Sequence, residues 1–211
     1  MNYICKESQA SKSLFIACAA LLLLASLFVD THAQSNGPNP PKPGDEPSPA
    51  QKYFTDVVLV NQDGKEMRLY SDLLKGNVVI INAMFTSCNG VCPPMSRNME
   101  MIQERLGDRL GKGVQLLSFS VDPAVDTPPV LKQYARRFHA KPGWQFLTGK
   151  RENLEVALRK LGQYVEVRED HTNIFIIGNE RTGLWKKAFG LANPQELIKV
   201  VESVLNDDGK Y

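Results

Sequence analysis

The chain has little net charge: 25 Lys and Arg stand against 23 Asp and Glu, leaving +2 over 211 residues. No basic cluster interleaved with aromatics occurs, so nothing supports nucleic acid as a partner. Histidine is scarce, with three residues, and cysteine nearly so, with four. No internal repeat runs through the chain. Long apolar runs are also few. The run from Leu14 to Val29 has 16 residues, short of the about 20 that span a bilayer as a helix. What remains, 43% hydrophobic and 23% charged, is an ordinary globular composition with room for one domain.

The N-terminus departs from that average. Lys6 and Lys12 precede the apolar run, and Thr31-His32-Ala33 follows it with small residues at the two positions a signal peptidase reads. This is the order of a secretory signal, with cleavage expected after Ala33. The other reading is an uncleaved membrane anchor through residues 14–29. Too little apolar sequence precedes Cys18 for a lipoprotein acylation site. Either way the domain is expected outside the cytoplasm, periplasmic or membrane-anchored on the extracytoplasmic side. Removing residues 1–33 takes away Cys5 and Cys18 and leaves Cys88 and Cys92 as the only pair, in a compartment that favours disulfides. The charge is unchanged, because Lys6 and Lys12 leave together with Glu7 and Asp30.

Residues 34–50 include six prolines and no large apolar residue. Such a stretch cannot bury a core and reads as an extended tether. Residues 51–206 then alternate strands and helices, and residues 207–211 form a short tail. Val57 to Val60 and Met67 to Tyr70 flank an Asp63-Gly64 turn, a hairpin pattern. Asn77 to Phe85 and Val114 to Val121 are apolar runs expected of strands buried on both faces. Between them a helix is expected from about Pro93 to Leu110, with Met95, Met99, Ile102 and Leu106 on one face. Thr127 to Phe138 begins as a helix should, with Thr127 as the cap and prolines in the first turn. Trp144 to Leu147, Asn153 to Leu161, Asn173 to Ile177, Leu184 to Phe189 and Pro194 to Leu205 complete an α/β pattern with a hairpin at each end.

Cys88 and Cys92 follow a buried strand and precede a helix, the place where α/β sheets carry reactive loops. Gly90 permits a tight turn between them, and Pro93 and Pro94 suit a first helical turn. A thiol beside a helix N-terminus is favoured as thiolate. Three readings fit the pair. A structural disulfide would close a very short loop and gain little chain entropy. A redox dithiol usually has two residues between its cysteines, and this pair has three. A metal site is the third: two soft thiolates suit Cu(I), and an added imidazole lets the site hold Cu(II). The cysteines alone do not decide. His139, among charges just past a helix, reads as a solvated helix-end residue. His171 enters an apolar strand and is the candidate third ligand, with Asp170 placed to orient its ring.

Four segments together carry a resemblance. They are Phe85-Thr86-Ser87-Cys88 through Cys92-Pro93; Ser118 to Pro123 with Asp126-Thr127-Pro128; Leu131 to Ala135; and Asp170-His171-Thr172. In order and spacing they resemble the Sco/SenC family of copper chaperones for cytochrome c oxidase assembly, over most of residues 53–205. The resemblance implies a thioredoxin-like fold, a central mixed sheet flanked by helices, with an added N-terminal β-hairpin. It implies Cys88, Cys92 and His171 as ligands for Cu(I) and Cu(II). It also implies a partner, a copper-accepting oxidase subunit or another copper protein, to which copper is delivered or whose thiols are reduced. The family usually has proline where this chain has Asn89, a change that removes no ligand.

The alternative function is a thiol–disulfide oxidoreductase using Cys88 and Cys92, one thiol attacking and the other resolving the mixed disulfide. Such enzymes usually set a cis-proline before the strand facing the dithiol. Val165 to Ile177 has no proline, and His171 stands near that place. A thiol peroxidase fits less well, since it relies on a lone nucleophile. Met84, Met95, Met99 and Met101 crowd the cysteine loop, and thioethers can bind Cu(I), but Met95 and Met99 form a helical apolar stripe with Ile102 and Leu106, which reads as core packing. Asp122 and Asp126 read as a loop with a helix cap, or as residues that shape a partner surface or weakly influence the copper site. Trp144 and Trp185 read as core or edge aromatics.

Overall fold

A computed structural model describes residues 47–210. The expected signal, the anchor alternative, the cleavage point and the tether up to Glu46 lie outside the described residues. Among the described residues no helix is long and apolar enough to cross a membrane.

The buried strands form as their sequences require. β3 (Val78–Met84) is buried at every position, and β4 (Val114–Ser120) at all but one. They run parallel, in register from Val78 opposite Val114 to Met84 opposite Ser120. β5 (Trp144–Thr148) extends the parallel set beyond β4. β1 (Val58–Asn61) and β2 (Glu66–Arg68) form the N-terminal hairpin. β6 (Ile174–Asn179) and β7 (Leu184–Phe189) form the C-terminal one. The seven strands lie in the order β2-β1-β5-β4-β3-β6-β7.

Alternate side chains on β3 feed two cores. Val78, Ile80 and Met84 pack under α2 (Cys92–Leu106), α3 (Pro128–Arg137) and α5 (Pro194–Leu205). Val79, Ile81 and Ala83 pack on the other face with α1 (Pro49–Phe54) and α4 (Arg151–Lys160). Met95 and Met99 are fully buried and serve packing as their spacing implies, Met84 at the end of β3 is fully buried too, and Met101 is 39% exposed. Trp144 is buried and Trp185 half-buried.

Three details differ from the sequence reading. Helix α1 takes in the last two residues of the Pro-rich stretch, because Ser48 caps it by accepting from the Gln51 amide at 3.1 Å. The strand expected to reach Tyr70 stops at Arg68 and gives way to a π-helical turn, Leu69–Leu74. Asp56 causes this: its carboxylate accepts the Tyr70 and Ser71 amides, at 3.1 and 2.8 Å, and the Ser71 hydroxyl. Thr127 stands at the N-cap of α3, but its side chain makes no capping bond.

Candidate metal centre

Three loops meet where β3 and β4 end and β6 begins. The first leaves β3 through Phe85 and turns tightly, with the Cys88 amide donating to the Phe85 carbonyl at 3.2 Å. It ends at Cys92, which is itself the first residue of α2, followed by Pro93 and Pro94. Prolines are tolerated there because first-turn amides have no helical acceptor. The second loop follows β4 and carries Asp122 and Asp126. The third is a 3₁₀ turn, Arg168–Asp170, that delivers His171 just before β6.

This brings Cys88, Cys92 and His171 together, with their three donor atoms within 4.8 Å of one another. Cys92 Sγ and His171 Nε2 are 3.1 Å apart. Both cysteines are free thiols. His171 Nδ1 lies 3.0 Å from the Arg168 carbonyl oxygen. A carbonyl can only accept, so Nδ1 carries the proton and Nε2 presents its lone pair to the thiols. The ring is also held edge-on by Phe85, with centroids 5.2 Å apart. Asp170 is exposed and does not orient the ring. The Arg168 carbonyl does, a correction with a plain cause: the 3₁₀ turn points its first carbonyl back at the residue three positions on.

The electrostatics divide the two thiols. Burial opposes ionisation of Cys88, but hydrogen bonds from the Cys92 thiol and from the Cys92, Gly90 and Val91 amides outweigh it together, and the pKa falls. Burial pushes Cys92 up to about 12, with Cys88 as a second cause. Burial also lowers the His171 pKa, which keeps the imidazole neutral and able to ligate. Cys88 is 9% exposed and Cys92 is fully buried. A cavity of about 440 Å³, lined by Ser87, Asn89, Gly90 and Glu169 among others, opens onto Cys88.

The donor chemistry fits a soft first-row ion. Bonds of about 2.3 Å to sulfur and about 2.0 Å to nitrogen, taken from the similar-sized zinc ion, put trigonal donors about 3.7–4.0 Å apart. The donors here lie close to that spacing, with Cys92 Sγ and His171 Nε2 3.1 Å apart and all three within 4.8 Å of one another.

A model of the family described as SCO1/SenC matches residues 45–206. The chain belongs to the SCO1/SenC family. The SCO1 protein homolog of Bacillus subtilis (strain 168) is 38% identical over 117 residues, 54% of this chain and 59% of that protein. The aligned part is thus under two thirds of that relative's length. Among solved structures, BsSco, described as having a disulfide switch and as a member of the Sco family of cytochrome c oxidase assembly proteins, superposes with a TM-score of 0.59. It is 32% identical, with 72% of this chain and 92% of that chain covered. Yeast Sco1 with copper bound gives a TM-score of 0.60 at 25% identity, covering 74% of this chain and 97% of that chain. The seven-stranded mixed sheet flanked by helices is the thioredoxin-like fold of these Sco structures.

The family motifs also contain residues whose role only the structure gives. Asp126 is completely buried and accepts from the Thr86 amide at 3.1 Å, the Ser120 hydroxyl at 2.6 Å and the Thr86 hydroxyl. It ties the start of the Cys88 loop to the end of β4. Burial raises its pKa, partly opposed by these same bonds. Asp122, 7% exposed, pairs with the Arg168 guanidinium. That guanidinium also lies 5.4 Å from the centroid of the Phe85 ring. Both aspartates therefore hold loops of the site, and neither caps α3. The available signal was an acidic residue on each side of a proline at the end of an apolar strand. His139 sits exposed beyond α3, 2.7 Å from Glu100, and takes no part in the site.

Proposed function

We propose that this protein binds copper through Cys88 and Cys92 Sγ and His171 Nε2, and delivers it to the copper site of a respiratory oxidase subunit. The observation that carries the reading is the convergence of two free thiols and a neutral imidazole with its Nε2 lone pair exposed to them. A structural disulfide would not need the histidine. Two thiolates hold Cu(I) and the imidazole adds the harder donor that Cu(II) requires. Copper here is cargo. Release proceeds by ligand exchange, in which target cysteines displace the protein's thiolates one at a time. Cys88 is the natural first leaving ligand, because it is the one reached from the open cavity. The signal-like N-terminus supports an extracytoplasmic location, with the Pro-rich stretch as spacer or tether. The description of BsSco as an oxidase assembly protein and the copper bound to yeast Sco1 support the same assignment.

A second reading rests on the asymmetry of the thiols. A lowered Cys88 beside a raised Cys92 is the division of labour of an attacking and a resolving thiol. In that reading the Cys88 thiolate attacks a disulfide in the target and the Cys92 thiol, losing its proton, closes the internal disulfide and releases the reduced target.

Copper-loaded protein mixed with the metal-free copper domain of an oxidase subunit separates the two. Transfer of copper to a domain whose cysteines are already reduced supports delivery. No transfer, with reduction of that domain's disulfide by metal-free protein, assigns the reductase instead.

A further inference from the structure

A second cavity, of about 480 Å³, shares no residue with the thiol–imidazole cluster and lies between α1, the end of α4 and the β6–β7 hairpin. Its size is that of small-molecule sites, which run about 300–1,000 Å³. Its walls are aromatic. Phe54 lies against Trp185 with centroids 5.3 Å apart, and Tyr53 meets Phe54 edge-on at 4.9 Å. The walls are also preformed. The Trp185 indole occupies the space above Gly178, where an added Cβ would fall 2.2 Å from Trp185 Cε3. Tyr53 Oη donates to the Lys160 carbonyl at 3.2 Å, which ties α1 to the end of α4.

The mouth is cationic. Lys160 Nζ stands 4.7 Å from the Tyr53 ring centroid, and the Arg159 guanidinium stacks on Tyr164 at 3.5 Å. Lys187 is exposed, two residues beyond Trp185 and so on the same face of β7. Among the described residues no Asp or Glu lines the cavity. An apolar interior under an uncompensated positive rim calls for a ligand with both characters. The chain's own Pro-rich stretch does not supply it, because residues 34–46 contain no large apolar side chain. A membrane surface is the competing occupant, since Tyr53 is 53% exposed, but Phe54, 8% exposed, forms a wall of the cavity and does not protrude.

We propose that this cavity is a separate binding site for a small amphiphilic anion, a carboxylate bearing a single apolar chain. The chain would lie against Phe54 and Trp185, and the carboxylate would stand at the mouth with Lys160, Arg159 and Lys187. The probe is decanoate, kept below its micellar concentration and titrated into the whole protein while tryptophan fluorescence is followed. Trp144 is 1% exposed and reports little, so the signal belongs to Trp185. The expected result is a saturable one-to-one change. Neutral decanol should bind about tenfold more weakly, and so should decanoate to the Lys160→Glu, Lys187→Glu double variant. Lys187 is exposed and Lys160 half-buried over the Tyr53 ring, and neither lines the thiol–imidazole cluster, so copper content should be unchanged, which separates this site from the copper reading. Equal binding of decanol, or undiminished binding in the double variant, would overturn the anion site. No saturable response to decanoate would overturn the cavity as a ligand site, as would binding seen only with anionic lipid vesicles.

Discussion

The three side chains proposed to hold copper come from two parts of the chain, Cys88 and Cys92 on one loop and His171 79 positions beyond Cys92, and each has a distinct chemical assignment. With its pKa pushed up to about 12, Cys92 is protonated at neutral pH, while the Cys88 pKa lies below its ordinary value. Thiolate is the reactive form, so Cys88 should alkylate first with iodoacetamide at neutral pH, and the Cys88→Ser variant should react far more slowly. Mass spectrometry of partly modified protein checks this; modification of Cys92 first would contradict it. The same ordering fixes a pH dependence. Copper must displace the Cys92 proton, so affinity should rise about tenfold per pH unit for that proton across the neutral range. The depressed His171 pKa acts at the acid end. A depressed folded-state value contributes stability that is present above the unfolded pKa near 6.5 and is lost as pH falls through the folded value. Metal-free wild type should therefore lose more stability below pH about 6.5 than His171→Ala does. That variant should also keep Cu(I) on its two thiolates and lose most of its Cu(II) binding and thiolate-to-copper absorption. An unchanged Cu(II) spectrum would show His171 to be structural.

At the scale of elements, the site is a junction of three loops held by two buried aspartates. The sequence made the strands and the cysteine-bearing helix legible, because β3, β4 and β6 are continuous apolar runs and α2 has a helical stripe. His171 was legible from its place at the mouth of β6 together with the family motif. What local pattern could not show were contacts made across the chain. Asp126 meets Thr86 over a separation of 40 residues, and Asp122 meets Arg168 over 46. The π-helical turn at Leu69–Leu74 was hidden for the same reason, since Asp56 shapes it from 14 residues upstream. Helix α1 was hidden because prolines dominate the composition around it, although Ser48 supplies a cap. The Asp122–Arg168 pair joins the β4 loop to the turn that positions His171, and its effect should be measurable. Arg168→Gln keeps the backbone carbonyl that holds Nδ1 but loses the Asp122 pair and the contact with Phe85. Cu(II) affinity should drop about tenfold while one equivalent of Cu(I) is retained, and Arg168→Lys should recover part of the loss. Competitive titration reads both oxidation states; an unchanged Cu(II) affinity would remove Arg168 from the positioning role.

For the whole molecule, the sheet places the thiols and imidazole at one end, beyond the carboxyl ends of β3 and β4, where an incoming partner can reach Cys88. The N-terminal reading belongs to this scale too. Intact-mass measurement of exported protein should give a chain starting at Gln34; a mass that still includes residues 1–33 would make the domain membrane-anchored. The central claim, a single copper site built from these residues, is tested most directly by metal analysis of reduced protein loaded with copper under anaerobic conditions. We expect one copper per chain in wild type and none retained by the Cys88→Ser, Cys92→Ser double variant. A full equivalent of copper on that double variant would contradict the assignment.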